Sequence, residues 1–339
     1  MDSIIGLDIG SHSIKLVEIG RRKEEAVILA AGSIPTPPKA LSASTPQDLE
    51  SIAMIVKKLW QETGAHTKNV NIALPESQVF TRVIDVPSLS ERELTSAIKW
   101  EAEQYIPMPL DQVTVDFTVL RDAKDTGTNK MEVLLVASPK TLVEKYVTIL
   151  EYAELTPVAV ETEIIAASRA LIRTIGTVRT VMVVSLGAQT TDLAIVRGGI
   201  LAFTRSMSSG GEALSRAVAQ SFGFEISQAE EFKKTYGIEK DKLEGKIVNA
   251  VAPIMDTITT EMKRAVAYYQ EKFKDEHVGV VVLSGGTAKV PGMVVSMAES
   301  LGIEVQLANP WIGITREERF RVLDPEGPVF SVAVGLALR

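Results

Sequence analysis

One pattern occurs twice in this sequence and restricts its fold more than any other feature. An aliphatic run, a glycine with small polar neighbours and a second aliphatic run make up "GLDIGSHSIKLVEIG", residues 6–20. The same order returns in "TVMVVSLGAQTTDLAIV", residues 180–196, where Gly187 aligns with Gly10. Each copy predicts two strands joined at a glycine turn. The wide separation of the copies indicates an internal duplication rather than a short-period solenoid.

Size and composition limit what the duplicated unit can belong to. With 339 residues, 45% of them hydrophobic, the chain is long enough for two or more lobes. A net charge of -7 argues against a nucleic-acid or anionic-membrane surface. The chain has no cysteine, which excludes disulfides and cysteine metal sites. The first residues lack a basic leader, and no uncharged stretch reaches the roughly 18 residues of a membrane helix, so a cytoplasmic protein is expected.

Between the two copies, the sequence predicts a separate unit. Ser90 and Glu93 form a capping-box signature before a helical pattern that ends at Pro107. Two alternating strands and a helix from Lys140 to about Ala153 follow. Two helices on a small sheet therefore predict an inserted subdomain. Other predicted elements are strands at 4–9, 14–19 and 26–31, a charged turn at 21–25, helices at 46–62, 210–222, 227–236 and 245–274, and a buried strand within 278–288.

The two turns, and a third at Ser284-Gly285-Gly286, contain the residue types that bind phosphate. Glycine with small polar neighbours lets backbone N–H groups approach a polyphosphate closely. Asp8 and Asp192 are candidate ligands of a magnesium ion, through water. Lys15 is either a phosphate ligand or a solvent-facing strand residue. Neither the P-loop pattern nor the dinucleotide fingerprint is present in these stretches.

The motifs "LDIGSHSIKLVEI", "SLGAQTTDLAIV" and "LSGGTAKVPGM" resemble the phosphate-1, phosphate-2 and adenosine motifs of the actin, Hsp70 and sugar-kinase superfamily. Within it the chain resembles the PilM family of type IV pilus assembly and, more distantly, the FtsA family of cell division. Three further stretches favour the PilM family, namely "LSERELTSAIKWEAEQYIPMPLDQVTVDF", "SSGGEALSRAVAQSFGFEISQAEEFKK" and "PVFSVAVGLALR".

The resemblance implies an α/β, actin-like (ribonuclease H-like) fold with two lobes, duplicated mixed sheets and an inserted FtsA-type 1C-like subdomain. The expected domains are lobe 1 (1A-like) at 1–80 and 158–179, the inserted interaction subdomain at 81–157, lobe 2 (2A-like) at 180–205 and 278–339, and a helical 2B-like subdomain at 206–277.

The resemblance also implies a site for ATP and Mg. Its expected residues are Asp8, Gly10, Ser11, Ser13 and Lys15 in lobe 1, and Gly187, Thr190, Asp192, Gly210, Gly211, Glu230, Lys233, Gly285 and Gly286 in lobe 2. Glu230 either contacts the ribose or, with Ser227, caps a helix. Lys233 either lies at the nucleotide or is a solvated lysine. His12, inside the first turn, is either a phosphate or partner contact or an exposed turn residue.

The second turn departs from its relatives, because Ser185 stands where they usually have an aspartate. A hydroxyl cannot supply negative charge to magnesium or draw a proton as a carboxylate does. ATP binding with at most weak hydrolysis is therefore expected, and no catalytic residue is assigned.

The resemblance implies a cytoplasmic adaptor of type IV pilus assembly that docks the N-terminal peptide of a PilN-like membrane protein. The groove would lie between lobe 1 and the inserted subdomain, and that partner would recruit the chain to the inner face of the membrane. Other pilus components and self-association are further possible partners. Trp100 and Tyr105 either form a docking surface or pack on their own sheet. The alternative functions are a small-molecule kinase of the same superfamily and an FtsA-like filament-forming scaffold.

Overall fold

The structure is a computed structural model that describes residues 2–23, 25–37, 40–42, 44–175, 178–274 and 276–339. Its strands form three sheets in this part of the chain, with six, five and three strands. Of the predicted charged turn at 21–25, Glu24 lies outside the described residues. Among the described helices, none combines the length and the hydropathy needed to cross a membrane.

The first sheet carries the first copy of the repeated pattern. Its strands, in spatial order, are β14 (Ile314–Thr315), β3 (Glu25–Pro35), β2 (Ser13–Arg22), β1 (Ser3–Ile9), β4 (Asn69–Leu74) and β8 (Thr156–Thr162). Helix α1 (Pro46–Thr63) begins at a capping box between Thr45 and Asp48. It ends at Gly64, which adopts the left-handed conformation that glycine tolerates. The predicted helix at 46–62 is thereby confirmed.

The second sheet carries the second copy. Its order is β11 (Ile200–Met207), β10 (Thr191–Arg197), β9 (Thr180–Leu186), β12 (Val280–Ser284) and β13 (Glu304–Leu307). All five residues of β12 are buried, as expected for a strand with neighbours on both sides. The associated helices are α6 (Gly211–Phe222), α7 (Ile226–Tyr236), α8 (Lys246–Lys272) and α9 (Met293–Leu301). The first three confirm the helices predicted at 210–222, 227–236 and 245–274, whereas α9 was not predicted.

The third sheet belongs to the insertion. It consists of β5 (Phe80–Pro87), β7 (Lys130–Pro139) and β6 (Val113–Arg121), all antiparallel. Helix α2 (Glu91–Tyr105) packs on one face and begins at the predicted Ser90–Glu93 capping box. A single turn, α3 (Ala123–Thr126), connects β6 to β7. Leu94, Ile98 and Val133 belong to a hydrophobic core that this unit does not share with the other sheets.

The expected extent of the insertion differs from the observed packing. Helix α4 (Lys140–Tyr152) was expected to belong to it, but its buried face, with Leu142, Tyr146 and Ile149, packs into the core of lobe 1 beside α1. Helical spacing identifies a buried face but not the sheet it covers. The unit with its own core therefore runs from about residue 80 to 139.

The end of the chain also departs from the expected assignment to lobe 2. Strand β14 pairs with β3 in the first sheet. Helix α10 (Gly327–Ala337) packs on β1, β2 and α5 (Glu163–Leu171). The apolar composition of this segment predicts that it is buried, but it does not predict the surface against which it packs. Together α5 and α10 form a core between the two large sheets.

Two glycines allow this close packing. A Cβ on Gly6 of β1 would lie 1.9 Å from Ala333 O, and one on Gly335 of α10 would lie 1.8 Å from Ala166 O. No carbon atom fits at such distances, so the backbones of β1, α10 and α5 are in direct contact.

Candidate functional site

The two copies of the pattern form antiparallel hairpins in the same register. Asp8 lies opposite Lys15 between β1 and β2, and Ser185 lies opposite Asp192 between β9 and β10. The alignment made from sequence therefore pairs positions that are equivalent in space. Asp8 lies inside β1, within the strand predicted at 4–9, and only residues 10–12 separate β1 from β2.

Each hairpin closes through one hydrogen bond of the same type. The Gly10 N–H donates to Ser13 O at 3.2 Å, and the Gly187 N–H donates to Thr190 O at 2.9 Å. Both glycines therefore use their N–H groups inside the turn, and two residues lie between the bonded pair in each hairpin, Ser11 and His12 in the first and Ala188 and Gln189 in the second.

The residues at the tip of each turn have the donors that phosphate needs. The backbone N–H groups of Ser11, His12, Ala188 and Gln189 have no hydrogen-bond partner among the described residues. Consecutive free N–H groups in a turn form an anion-binding concavity. The residues present therefore fit a polyphosphate.

Asp8 and Lys15 form a buried ion pair at the base of the first turn. Lys15 Nζ lies 3.0 Å from Asp8 Oδ2, and both residues are less than a tenth exposed. The alternative of a solvent-facing Lys15 is therefore wrong. A Cβ on Gly10 would lie 2.9 Å from Lys15 Nζ, so the absence of a side chain there keeps the lysine close to the turn.

Thr36 supports the first turn from outside, and sequence reasoning missed it. Its N–H donates to His12 O at 3.0 Å, and its hydroxyl donates to Gly10 O at 2.7 Å. A cavity of about 410 Å³ lies between Thr36 and Ser11, His12 and Ser13. Because Thr36 follows β3 in a proline-rich stretch, no periodicity marks it.

In the second turn, two hydroxyls hold the carboxylate of Asp192. Thr190 Oγ1 donates to Asp192 Oδ2 at 2.9 Å, and Ser206 Oγ donates to Oδ1. Burial raises the pKa of Asp192, although both hydrogen bonds act in the opposite direction. Its carboxyl also raises the pKa of Glu163, so Asp192 is within electrostatic reach of the start of α5.

Glu163, the first residue of α5, interacts electrostatically with an acidic residue of each hairpin, and sequence reasoning missed it as well. Burial raises its pKa well above the usual range, and Asp8 and Asp192 raise it further, while Lys15 acts in the opposite direction. One carboxyl thus interacts with an acid from each lobe. The only sequence signal was its place directly after a strand, at a helix start, where many carboxylates serve only to complement the helix dipole.

The remaining lobe 2 glycines pack behind the second turn. Gly187 O accepts the Gly211 N–H at 2.9 Å and the Thr287 hydroxyl at 2.9 Å. A Cβ on Gly210 would lie 2.7 Å from Ala188 O, and one on Gly211 would lie 2.3 Å from Thr287 Oγ1. The start of α6 is thus fixed against the turn.

Lys233 and Glu230 extend this arrangement onto α7. Lys233 is 2% exposed, and its Nζ donates to Gly211 O at 2.9 Å, Ser215 Oγ at 2.8 Å and Glu230 Oε2 at 2.6 Å. Burial lowers the pKa of Lys233. Burial acts to raise the pKa of Glu230, but the hydrogen bonds from Lys233 and Ser215 outweigh it and the pKa is lowered. The solvated-lysine alternative is therefore wrong.

The alternative role of Glu230 as a helix cap is wrong too. The capping box of α7 consists of Glu225 and Gln228, and Ser227 lies inside the helix. Glu230 instead accepts the Ser215 hydroxyl, which links α7 to α6.

The two glycines of the third turn have different reasons to be glycine. Gly285 has φ +84°, and a Cβ there would lie 2.4 Å from Leu186 O. Gly286 has φ -66°, and a Cβ there would meet nothing within 4 Å. The first is required by the fold, while the second leaves an open surface on which a flat group such as a purine could lie.

This architecture, two mixed sheets that carry equivalent turns and share a helical core, defines an actin-like protein. Solved structures agree with this class. Over 100% of this chain, the ethanolamine utilization protein EutJ from Carboxydothermus hydrogenoformans superposes with a TM-score of 0.58 at 18% identity, covering 90% of that chain. MreB 5 of Spiroplasma citri bound to AMPPNP superposes at 0.53 and 12% identity, covering 96% of that chain.

A family model described as type IV pilus assembly protein PilM matches residues 6–339, so the chain belongs to that family. It is similar to the solved PilM-PilN type IV pilus biogenesis complex, with a TM-score of 0.87 and 29% identity over 99% of this chain and 98% of that one. The cell division protein FtsA of Streptococcus pneumoniae is 22% identical over 90% of this chain and 75% of its own length.

Proposed function

We propose that this chain is an ATP-binding, actin-like adaptor of type IV pilus assembly that docks the N-terminal cytoplasmic peptide of a PilN-like membrane protein. The proposed binding of ATP is supported by the pair of equivalent turns with free N–H groups, and by Glu163, which interacts electrostatically with an acidic residue of each hairpin. The similarity to a PilM-PilN complex carries the partner part.

ATP would bind between the turns, with its phosphates at the N–H groups of Ser11, His12, Ala188 and Gln189. Gly210, Gly211, Glu230, Lys233 and Gly286 would border the nucleoside. Among the described residues, no three Asp, Glu or His side chains converge closely enough to ligate a metal. Magnesium, which keeps several of its water ligands, would bind Asp8 and Asp192 through water and neutralise phosphate charge.

Hydrolysis would be weak. Ser185 supplies no charge, and the two oxygens of Asp192 accept hydroxyl protons from Thr190 and Ser206. Glu163, whose carboxyl interacts with both Asp8 and Asp192, is the candidate to orient a water molecule. The chain would thus respond to the presence of the nucleotide rather than to its turnover.

The PilN-like peptide would bind in a groove between lobe 1 and the inserted subdomain, and the partner's membrane anchor would hold the complex at the inner face of the membrane. Short extended peptides commonly bind sheet edges and grooves through backbone hydrogen bonds. Nucleotide and peptide would change each other's affinity by equal factors.

The nucleotide proposal is tested by thermal unfolding with and without Mg-ATP. A ligand at about 100 times its dissociation constant stabilises by about 2.7 kcal/mol, which raises the melting temperature by several degrees. Asp8→Asn is chosen because an amide oxygen still accepts from Lys15 while the charge is lost. We expect the ATP-dependent shift to shrink by more than half in Asp8→Asn.

The matched control is Asp256→Asn, at an exposed position on α8, which should keep the full shift. No shift in the folded intact protein would contradict ATP binding. The peptide proposal needs a separate titration with the N-terminal peptide of a PilN-like protein and a scrambled peptide of the same composition. Equal binding of both peptides would contradict it.

A further inference from the structure

Glu76 is a buried carboxylate that the site described above does not use. It lies one residue after β4, in the 3-10 turn Glu76–Gln78 that follows Pro75 and connects the first sheet to β5 of the inserted subdomain. The residue is 4% exposed, and its Oε2 atom has no hydrogen-bond partner among the described residues. A buried carboxyl oxygen without a partner costs about 1–3 kcal/mol or more, so its retention needs an explanation.

Two buried hydroxyls from different units face this carboxyl. Thr162 comes from the end of β8 and Thr81 from the start of β5. Neither Oγ1 atom completes a hydrogen bond. Thr162 is the N-cap residue of α5, where a threonine hydroxyl usually accepts from its own helix, and here it does not. Three polar groups are therefore gathered with their hydrogen bonds unmade.

The cleft and the cluster formed by Glu76, Thr162 and Thr81 share a short piece of backbone. Thr162 and Glu163 are adjacent, and Glu163 interacts with Asp8 and Asp192 in the cleft. A displacement of the start of α5 by a ligand at Glu163 therefore moves Thr162 relative to Glu76. On the other side, Thr81 O accepts the Thr204 hydroxyl of β11 at 3.2 Å, so β5 also contacts lobe 2.

The electrostatics agree with this geometry. Burial raises the pKa of Glu76 to about 7, and Asp192 raises it as well, while Thr162, Thr81 and the Ile164 backbone favour the charged form. Groups from lobe 1, lobe 2 and the insertion thus all act on one carboxyl.

From this arrangement we infer that Glu76 is a positioning residue that couples the nucleotide cleft to the inserted subdomain. When nucleotide binding moves α5, the Glu76 carboxyl moves away from Thr162 and towards Thr81, or the reverse. This change shifts β5 relative to the first sheet. Such a group has different contacts in the two states, which any ligand-driven change requires. The inference rests on the proposed nucleotide binding and adds the path by which that binding affects the inserted subdomain.

The test is hydrogen–deuterium exchange of residues 80–87 with and without the Mg complex of AMPPNP, alongside direct calorimetric titration of the nucleotide. In the intact protein we expect the nucleotide to change exchange of β5 by at least about fivefold, the low end of typical coupling. Glu76→Gln keeps the shape of the side chain, and Thr81→Val keeps that of the threonine while removing its hydroxyl. Both variants should bind the nucleotide within about threefold of the intact protein and lose the change in β5.

Matched controls are Glu103→Gln on α2 and Thr118→Val on β6, both exposed and outside the cluster, which should respond as the intact protein does. An unchanged response of β5 in Glu76→Gln and Thr81→Val would overturn the inference. So would nucleotide binding to the intact protein without any change in β5, a result that leaves the proposed function standing. Absence of calorimetric binding would instead remove the proposed function, and the inference with it.

Discussion

Adjacent glycines at 285 and 286 differ in what an added methyl group would meet. At Gly285 both the left-handed φ and the contact with Leu186 O oppose any side chain. At Gly286 the backbone is helical and the space is open. The sequence motif makes the two positions look equivalent, and only the coordinates separate a glycine needed for folding from one available for a ligand.

We predict that Gly286→Ala leaves the melting temperature in the absence of ligand within about 2 °C of the intact protein, since surface changes are usually within about 0.5 kcal/mol. It should weaken ATP binding by about tenfold, because the methyl group would stand where the proposed nucleoside lies; a tenfold loss equals about 1.4 kcal/mol. Thermal unfolding and calorimetric titration measure the two effects. Unchanged ATP affinity would place the nucleoside elsewhere.

Glu76→Gln should also change how stability depends on pH. The carboxyl has a pKa of about 7 when folded and an ordinary value of 4.5 when unfolded. Its contribution is therefore fully present below pH 4.5 and is lost as the pH rises through 7. Relative to Glu76→Gln, the intact protein should lose about 3 kcal/mol between pH 4.5 and 8. Urea unfolding of both proteins at several pH values measures this difference, and parallel profiles would contradict it.

A third residue-scale prediction concerns Gly211. Its added methyl group would collide with Thr287 Oγ1 at 2.3 Å, and this hydroxyl holds Gly187 O. Gly211→Ala should therefore destabilise the protein by about 1–3 kcal/mol. Thr287→Ala alone loses one hydrogen bond, about 1 kcal/mol. The double variant should lose less stability than the sum of the two single variants, because without the Thr287 hydroxyl the collision is gone. Strictly additive losses in urea unfolding would argue against the contact.

At the scale of elements, local signals in the sequence predicted where helices and strands form. They did not predict which neighbour α4 and β14 would pack against. Ser90 with Glu93 and Gly64 mark helix ends because caps depend on a few adjacent residues. Helix α4 and strand β14 joined the first sheet instead of their expected units, because an apolar face does not identify its partner. Glu163, Glu76 and Thr36 were missed for the same reason, since their roles depend on residues distant in sequence.

Helix α10 provides the test at this scale. In Gly335→Ala the new Cβ would lie 1.8 Å from Ala166 O, a backbone atom that cannot turn away. Alanine favours a helix over glycine by about 1 kcal/mol, but the collision should outweigh this and give a net loss of about 3 kcal/mol. Gly286→Ala, the same substitution in open space, is the control. Urea unfolding that shows Gly335→Ala to be as stable as the intact protein would refute the close contact.

For the whole molecule, the distribution of the cores predicts how it unfolds. Val17 and Val183, from the two large sheets, and Phe330 of α10 share one core, whereas the insertion has its own core. We therefore expect one calorimetric transition for both lobes and a second, smaller one for residues 80–139. Exchange measured at increasing temperature should show the insertion opening as a unit. Separate transitions for the two lobes would contradict the shared core.

The contacts of Gly6 with Ala333 and of Gly335 with Ala166 have one more consequence, for the position of α5 relative to β1. Where side chains separate two elements, each substitution changes the gap a little, and the spacing changes as the sequence does. At these two points the elements meet through main chain, whose dimensions are the same for every amino acid. The distances from β1 to α10 and from α10 to α5 are therefore independent of side-chain size there, as long as the two positions carry no side chain. The strand that carries Asp8 and the helix that begins at Glu163 are in this way held at a spacing that peptide geometry sets.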